Sequence, residues 1–125
     1  MKVFKFGGAS LKSADAIRNM VAIVKQHQHK KLIVVVSAMG KSTNALEGMI
    51  KLVLEGKTHD TSIKEFEAYH NNLIDALLST NKEIALSEVK VLYDELDTNL
   101  SKFKANEFTK NYDSKMTVTI SHCIV

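Results

Sequence analysis

The chain has 125 residues, of which 45% are apolar and 25% charged, so it has the composition of a folded globular domain and is too short for two ordinary ones. No apolar run approaches the roughly 18 residues needed to span a membrane, and the single cysteine, Cys123, has no internal partner for a disulfide. The formal net charge is only +3, but it divides unevenly: residues 1–60 carry ten Lys and Arg against four Asp and Glu, and the remainder seven against ten. That bias suits phosphorylated small ligands and lacks the Arg/Lys stripe with interleaved aromatics of a nucleic-acid binder. A cytoplasmic domain, or a piece of a larger one, with neither nucleic-acid nor membrane partners is expected.

Residues 2–6 form a short apolar run closed by Gly7-Gly8, the pattern of a strand meeting a tight turn. Ser13 then stands as an N-cap with Asp15 in the first turn, and Ala16, Ile17, Met20, Val21, Ile23 and Val24 recur at helical spacing. A polar stretch leads into Leu32-Ile33-Val34-Val35-Val36, a β-branched run of the kind buried on both faces of a parallel sheet. Strand, glycine loop, helix and strand make a βαβ unit.

After Val36 the polar loop 37–44 precedes a second helical pattern through Leu46, Met49, Ile50, Val53 and Leu54 that stops at Gly56. Ser62 and Glu65 have capping-box spacing, and Ile63, Phe66, His70, Leu73 and Leu77 follow on one stripe. A further helix carries Leu86, Val89, Leu92, Leu96, Leu100 and Phe103 on one face, so residues 61–105 are expected to fold as an antiparallel helical hairpin. Residues 106–125 are a divergent end, in which Met116 to Ile120 alternates like a strand.

Lys5, between Phe4 and Phe6, lies at the carboxyl end of the first strand, where open α/β sheets place their ligands. Gly7 and Gly8 can bring bare N–H groups close to an anion, and the helix starting near Ser13 can aim its positive end there. The same residues also fit a partly exposed strand lysine followed by an ordinary turn. Ser37 presents a hydroxyl at the end of the second strand, and Thr43-Asn44 sit at a helix start, where neutral polar groups can hold a carboxylate. Ser42 or Thr43 can equally serve as a helix cap.

Gly40-Lys41-Ser42-Thr43 imitates the end of a P-loop, but Val35 stands where the motif needs its first glycine, and the intervening loop is too short to cradle two phosphates. His27, His29, His59 and His122 form no ligand set, and His70 falls on an apolar helix stripe as a half-buried histidine. No metal-ligand spacing and no Ser/His/Asp arrangement emerges, so no residue is assigned to a metal.

Lys5-Phe6-Gly7-Gly8-Ala9-Ser10, then Val34 to Gly40, then Thr43-Asn44-Ala45-Leu46 resemble, in that order, the motifs of the aspartokinases of the amino acid kinase family. The resemblance covers residues 1–112 and implies an α/β fold: part of a three-layer αβα arrangement with a mainly parallel sheet and a helical hairpin. It implies ATP with Mg²⁺ as phosphoryl donor and L-aspartate as acceptor. The product is then 4-phospho-L-aspartate, on the route to lysine, threonine and methionine. By the same resemblance Lys5, Gly7 and Gly8 are the catalytic contacts to the transferring phosphoryl group, with Ala9 and Ser10 completing the nucleotide loop, and Ser37, Thr43 and Asn44 bind aspartate.

Two departures stand out. Ala9 replaces the family's commonest threonine, and the end of the chain, from Val118 to Val125, lacks the expected Ser-x-Gly-Glu segment. A nucleotide-binding half and regulatory domains are also not seen, so the chain alone is expected to have little or no kinase activity. Self-association as a homodimer or higher oligomer through an open sheet edge is expected. The alternatives are another amino acid kinase, acting on glutamate or acetylglutamate, and a non-catalytic self-associating module.

Overall fold

The computed structural model describes residues 1–103, and the strand expected at 116–120 lies outside them. The elements among them are β1 (Lys2–Phe6), α1 (Ala14–Gln26), β2 (Leu32–Val36), α2 (Ser42–Leu54), α3 (Asp60–Leu77) and α4 (Lys82–Lys102), with a 3-10 turn at Gly8–Leu11. The order is that of an α/β protein, as the sequence implies. The chain divides into two units, Met1–Ser42 and Thr43–Val125.

In the first unit β1 and β2 pair in parallel, with Lys5 opposite Val35 and Phe6 opposite Val36. Parallel neighbours need a crossover, and α1 supplies it. Ser13 caps this helix as expected, its hydroxyl accepting the Ala16 N–H at 3.2 Å. Side chains alternate along a strand, so Phe4 and Phe6 share one face while Val3 and Lys5 share the other. The Phe4 ring meets His27, beyond the end of α1, edge-on with centroids 4.9 Å apart, which identifies the face that α1 covers. Of the helix's apolar positions only Ile17 is fully buried.

The second strand departs from expectation. Ile33, Val34, Val35 and Val36 are 38–47% exposed rather than buried on both faces. A parallel strand is buried on both faces only when helices cover both sides of its sheet, and within the first unit α1 lies on one side alone, over a sheet that has two strands among the described residues.

The described part of the second unit is helical. Its core joins Leu46, Met49, Ile50 and Val53 of α2 to Ile63 and Phe66 of α3 and to Tyr93, Leu96 and Leu100 of α4. α2 ends in a Schellman turn: Gly56, at φ +70°, donates to Val53, and Lys57 donates back to Leu52 at 2.8 Å. α3 and α4 are antiparallel, because Tyr93 reaches Asn71 and Phe66 while Lys82 reaches Asp75.

Three details of the hairpin differ from the sequence reading. α3 begins at Asp60, with the Thr58 hydroxyl accepting the Asp60 N–H, so Ser62 lies in the first turn and is not the cap. Tyr93, absent from the expected stripe of α4, is buried at 5% exposure, whereas Leu86 and Leu92 are only half-buried. The buried line therefore runs through Tyr93, Leu96 and Leu100 at spacings of three and four.

Candidate functional site

Because β1 and β2 are parallel and in register to their ends, the loops after Phe6 and Val36 leave the sheet side by side at its carboxyl edge. Two backbone bonds stitch them together. Ser37 N–H donates to the Phe6 carbonyl at 3.0 Å, and Gly40 N–H donates to the Gly8 carbonyl at 3.1 Å. The approach at Gly8 requires glycine: a Cβ there would lie 2.6 Å from the Gly40 oxygen and 3.2 Å from that of Ala38. Gly7 meets no such limit, since nothing lies within 4 Å of a Cβ built on it.

Gly7 has extended backbone and leads into the 3-10 turn, within which Ser10 N–H donates to the Gly7 carbonyl at 3.0 Å. Among the described residues, the N–H groups of Gly7, Gly8 and Ala9 enter none of the backbone bonds made by turns, loops and caps. The first two, of Gly7 and Gly8, are the donors the sequence reading offers to an anion. Ser10 differs, because its N–H is committed to Gly7 and only its hydroxyl remains for a ligand.

Lys5 is exposed and makes no hydrogen bond or ion pair among the described residues. A lysine beside a carboxylate spends its charge on that partner, and Lys5 has no such partner among the described residues. Alternation along β1 puts Lys5 on the face opposite Phe6. A cleft of about 240 Å³ opens on the Phe6 side, walled by Ala9, Ser10, Ala16, Asn19, Met20 and Ile23. The structure thus brings the Ala9 and Ser10 side chains together with α1, and does not bring Lys5 into that cleft.

The loop after β2 is fixed by its own turn. Gly40 adopts φ +56°, and both the N–H and the hydroxyl of Ser42 donate to the Met39 carbonyl. Ser42, only 3% exposed, therefore closes the loop from within rather than facing a ligand. Ser37 is exposed at the strand end. Thr43 and Asn44, which begin the second unit, are exposed in the first turn of α2.

Sequence reasoning missed the 3-10 turn and the Gly8–Gly40 bond. The second glycine of the Gly7-Gly8 pair was the available signal, since a close approach of two backbones is what a glycine at a strand end permits. It also left His59 without a partner; its Nε2 lies 2.7 Å from Asp97 Oδ1, 38 residues along the chain. Among the described residues no group of three or more His, Cys, Asp or Glu could hold a metal ion, and no helix is long and apolar enough to cross a membrane.

Comparison with known proteins finds relatives of one kind. The chain is 33% identical over 95 residues to Aspartokinase 2 of Bacillus subtilis, covering 74% of the chain and 20% of that relative. It is 30% identical over 95 residues to the bifunctional aspartokinase/homoserine dehydrogenase of Haemophilus influenzae, covering 75% of the chain and 12% of the relative. Against Aspartokinase 2, chloroplastic, of Arabidopsis thaliana the identity is 38% over 64 residues, or 50% of the chain and 12% of the relative. The chain thus spans about an eighth to a fifth of the length of these relatives. The model of the amino acid kinase family matches residues 1–123, nearly the whole sequence, and the chain belongs to that family.

Proposed function

We propose that the chain carries the phosphate-holding and carboxylate-holding loops of an aspartate kinase, which transfers the γ-phosphoryl group of ATP to the side-chain carboxylate of L-aspartate. The observation that carries this reading is Lys5, exposed and without a carboxylate partner, on the strand that runs into the open N–H groups of Gly7 and Gly8. The names of the relatives favour aspartate over glutamate or acetylglutamate.

In this reading the acceptor carboxylate is already ionised at neutral pH, so no general base is needed. A carboxylate oxygen forms a new bond to the γ-phosphorus while the bond from that phosphorus to the β–γ bridging oxygen breaks, and the electron pair leaves with ADP. The protein's work is alignment and charge stabilisation. Lys5 and the amides of Gly7, Gly8 and Ala9 would hold phosphate oxygens, and the Ser10 hydroxyl would add a neutral donor. Mg²⁺, arriving as its ATP complex, would supply further positive charge. Ser37, Thr43 and Asn44 would bind the aspartate, hydroxyl and amide groups being suited to its carboxylates and amine.

The exposed Val3, Ile33 and Val35, on the sheet face not covered by α1, support self-association of the chain as a homodimer or larger oligomer. Concentration-dependent sedimentation is expected, and a single monomeric species up to 100 μM or so would contradict it. A cytoplasmic setting is part of this reading, favoured by the single cysteine, Cys123.

Backbone NMR tests the main reading. Mg·ATP should shift the amides of Gly7, Gly8 and Ala9. L-Aspartate, but not L-glutamate, should shift those of Ser37, Thr43 and Asn44. Silence at both sets would refute the assignment, and an equal response to glutamate would move it to another amino acid kinase.

A further inference from the structure

The Gly8 carbonyl and the Ala9 N–H belong to one peptide unit, which is planar and moves as a piece. The carbonyl end accepts the Gly40 N–H at 3.1 Å, while the N–H end enters none of the backbone bonds made by turns, loops and caps among the described residues. An anion that takes the Ala9 N–H pulls electron density through the amide and makes the Gly8 oxygen a better acceptor, so the bonds on the two ends of the plane strengthen together. It also fixes the tilt of the plane, and hence the direction in which the Gly8 oxygen points.

At the other end of this bond the loop 37–42 has few ways to respond independently. Gly40 is held at φ +56°, and the next turn is locked by the two bonds from Ser42 to Met39. Only 2.6 Å separates the position of a Gly8 Cβ from the Gly40 oxygen, so the two backbones already touch. A change in the 8–9 peptide is passed on to Gly40 and Ser42 rather than absorbed between them.

We propose that Gly40 is a positioning residue: through its N–H bond to Gly8 it couples occupation of the phosphate loop to the placement of the loop 37–42, which carries Ser37. This rests on the reading of Gly7 to Ala9 as a phosphate site and adds to it a direction of communication. Phosphate binding sets the carboxylate-binding loop before the acceptor arrives.

The test is backbone NMR of the 125-residue chain titrated with Mg·ATP in the absence of aspartate. The amides of Gly40 and Ser42 are expected to shift with the same half-saturation as those of Gly7 and Gly8, and exchange of the Gly40 N–H is expected to slow several-fold. In Gly8→Ala the new Cβ forces the two backbones apart, so the response at Gly40 and Ser42 should vanish while that at Gly7 persists. Retained protection of the Ser37 N–H, which bonds to Phe6, shows that the sheet is still formed in that variant.

A second pair covers the case in which Gly8→Ala does not fold. Gly40→Asn, which tolerates positive φ, should preserve the coupled shift, and Gly40→Val, which does not, should abolish it. Shifts at Gly7 and Gly8 without any at Gly40 and Ser42 would overturn the coupling and leave the phosphate site standing. No shift at Gly7 or Gly8 would overturn both.

Discussion

The imidazole Nε2 of His59, at the amino end of α3, lies 2.7 Å from Asp97 Oδ1 on α4. His59 is buried to 8% exposure and Asp97 is about half-exposed, so the bond ties the open end of the hairpin, opposite the 78–81 connection, from a largely dry donor to a wetted acceptor. Removing the acceptor leaves a buried ring nitrogen to find water; removing the ring leaves only a surface carboxylate. Asp97→Ala is expected to destabilise the fold by about 1–2 kcal/mol. His59→Ala combined with Asp97→Ala should show a coupling of about 1 kcal/mol in a denaturation cycle, and strictly additive effects would show the bond to be idle.

Burial in the hairpin makes its stability fall at both ends of the pH scale. His70 Nδ1 donates to the Phe66 carbonyl at 2.8 Å, and burial holds its pKa below the usual histidine value, with that hydrogen bond opposing. The unfolded chain therefore takes up a proton before the folded one does. The stability that neutral His70 contributes is present above about pH 6.5 and lost as pH falls through its lowered folded-state pKa. Tyr93 is pushed up to about 12, by burial first and by the Glu67 carboxylate second. It ionises in the unfolded chain first, so stability is lost as pH rises from about 10 towards 12. His70→Gln should flatten the acid slope and Tyr93→Phe the alkaline one in thermal melts; unchanged slopes would contradict the burial argument.

Leu100 and Met49 are essentially inaccessible and meet in one core. Leu100→Ala is expected to cost about 2–5 kcal/mol, the range for a buried leucine whose cavity only partly collapses. Ile84→Ala, on the exposed side of the same helix, should cost less than about 0.5 kcal/mol. Urea midpoints of the two variants check this contrast.

How much could be read in advance depended on how local the determining interaction was. Ser13, with Ala16 three residues on, announced the start of α1, and Gly56 announced the end of α2, because caps and left-handed turns are set within one turn of chain. Ser62 misled because Thr58 and His59 offered an earlier start, and the bond from His59 to Asp97 depends on a residue 38 positions away. Tyr93 shares the helical period of Leu96 and Leu100 but stands beside Leu92, and the choice between the two is made by Phe66 and Asn71 across the hairpin. At the candidate site the glycine turn after β1 was legible, and Lys5, Gly7 and Gly8 stand as its proposed anion contacts. The bond joining Gly8 to Gly40 was not, because sequence alone does not report how close two loops come.

The most direct test is calorimetric titration of Mg·ATP into the wild-type chain and into Lys5→Met, which keeps the length of the side chain and removes its charge. Lys5 is exposed, so the substitution leaves the core untouched. Loss of one charge-assisted contact to phosphate is worth about 1.5–3 kcal/mol, or about a ten- to hundred-fold weaker affinity. The account predicts a weakening of that size, with the thermal midpoint of the ligand-free protein unchanged. Equal affinities for Mg·ATP in the two proteins would contradict the assignment of Lys5 and its glycine loop as the phosphate site.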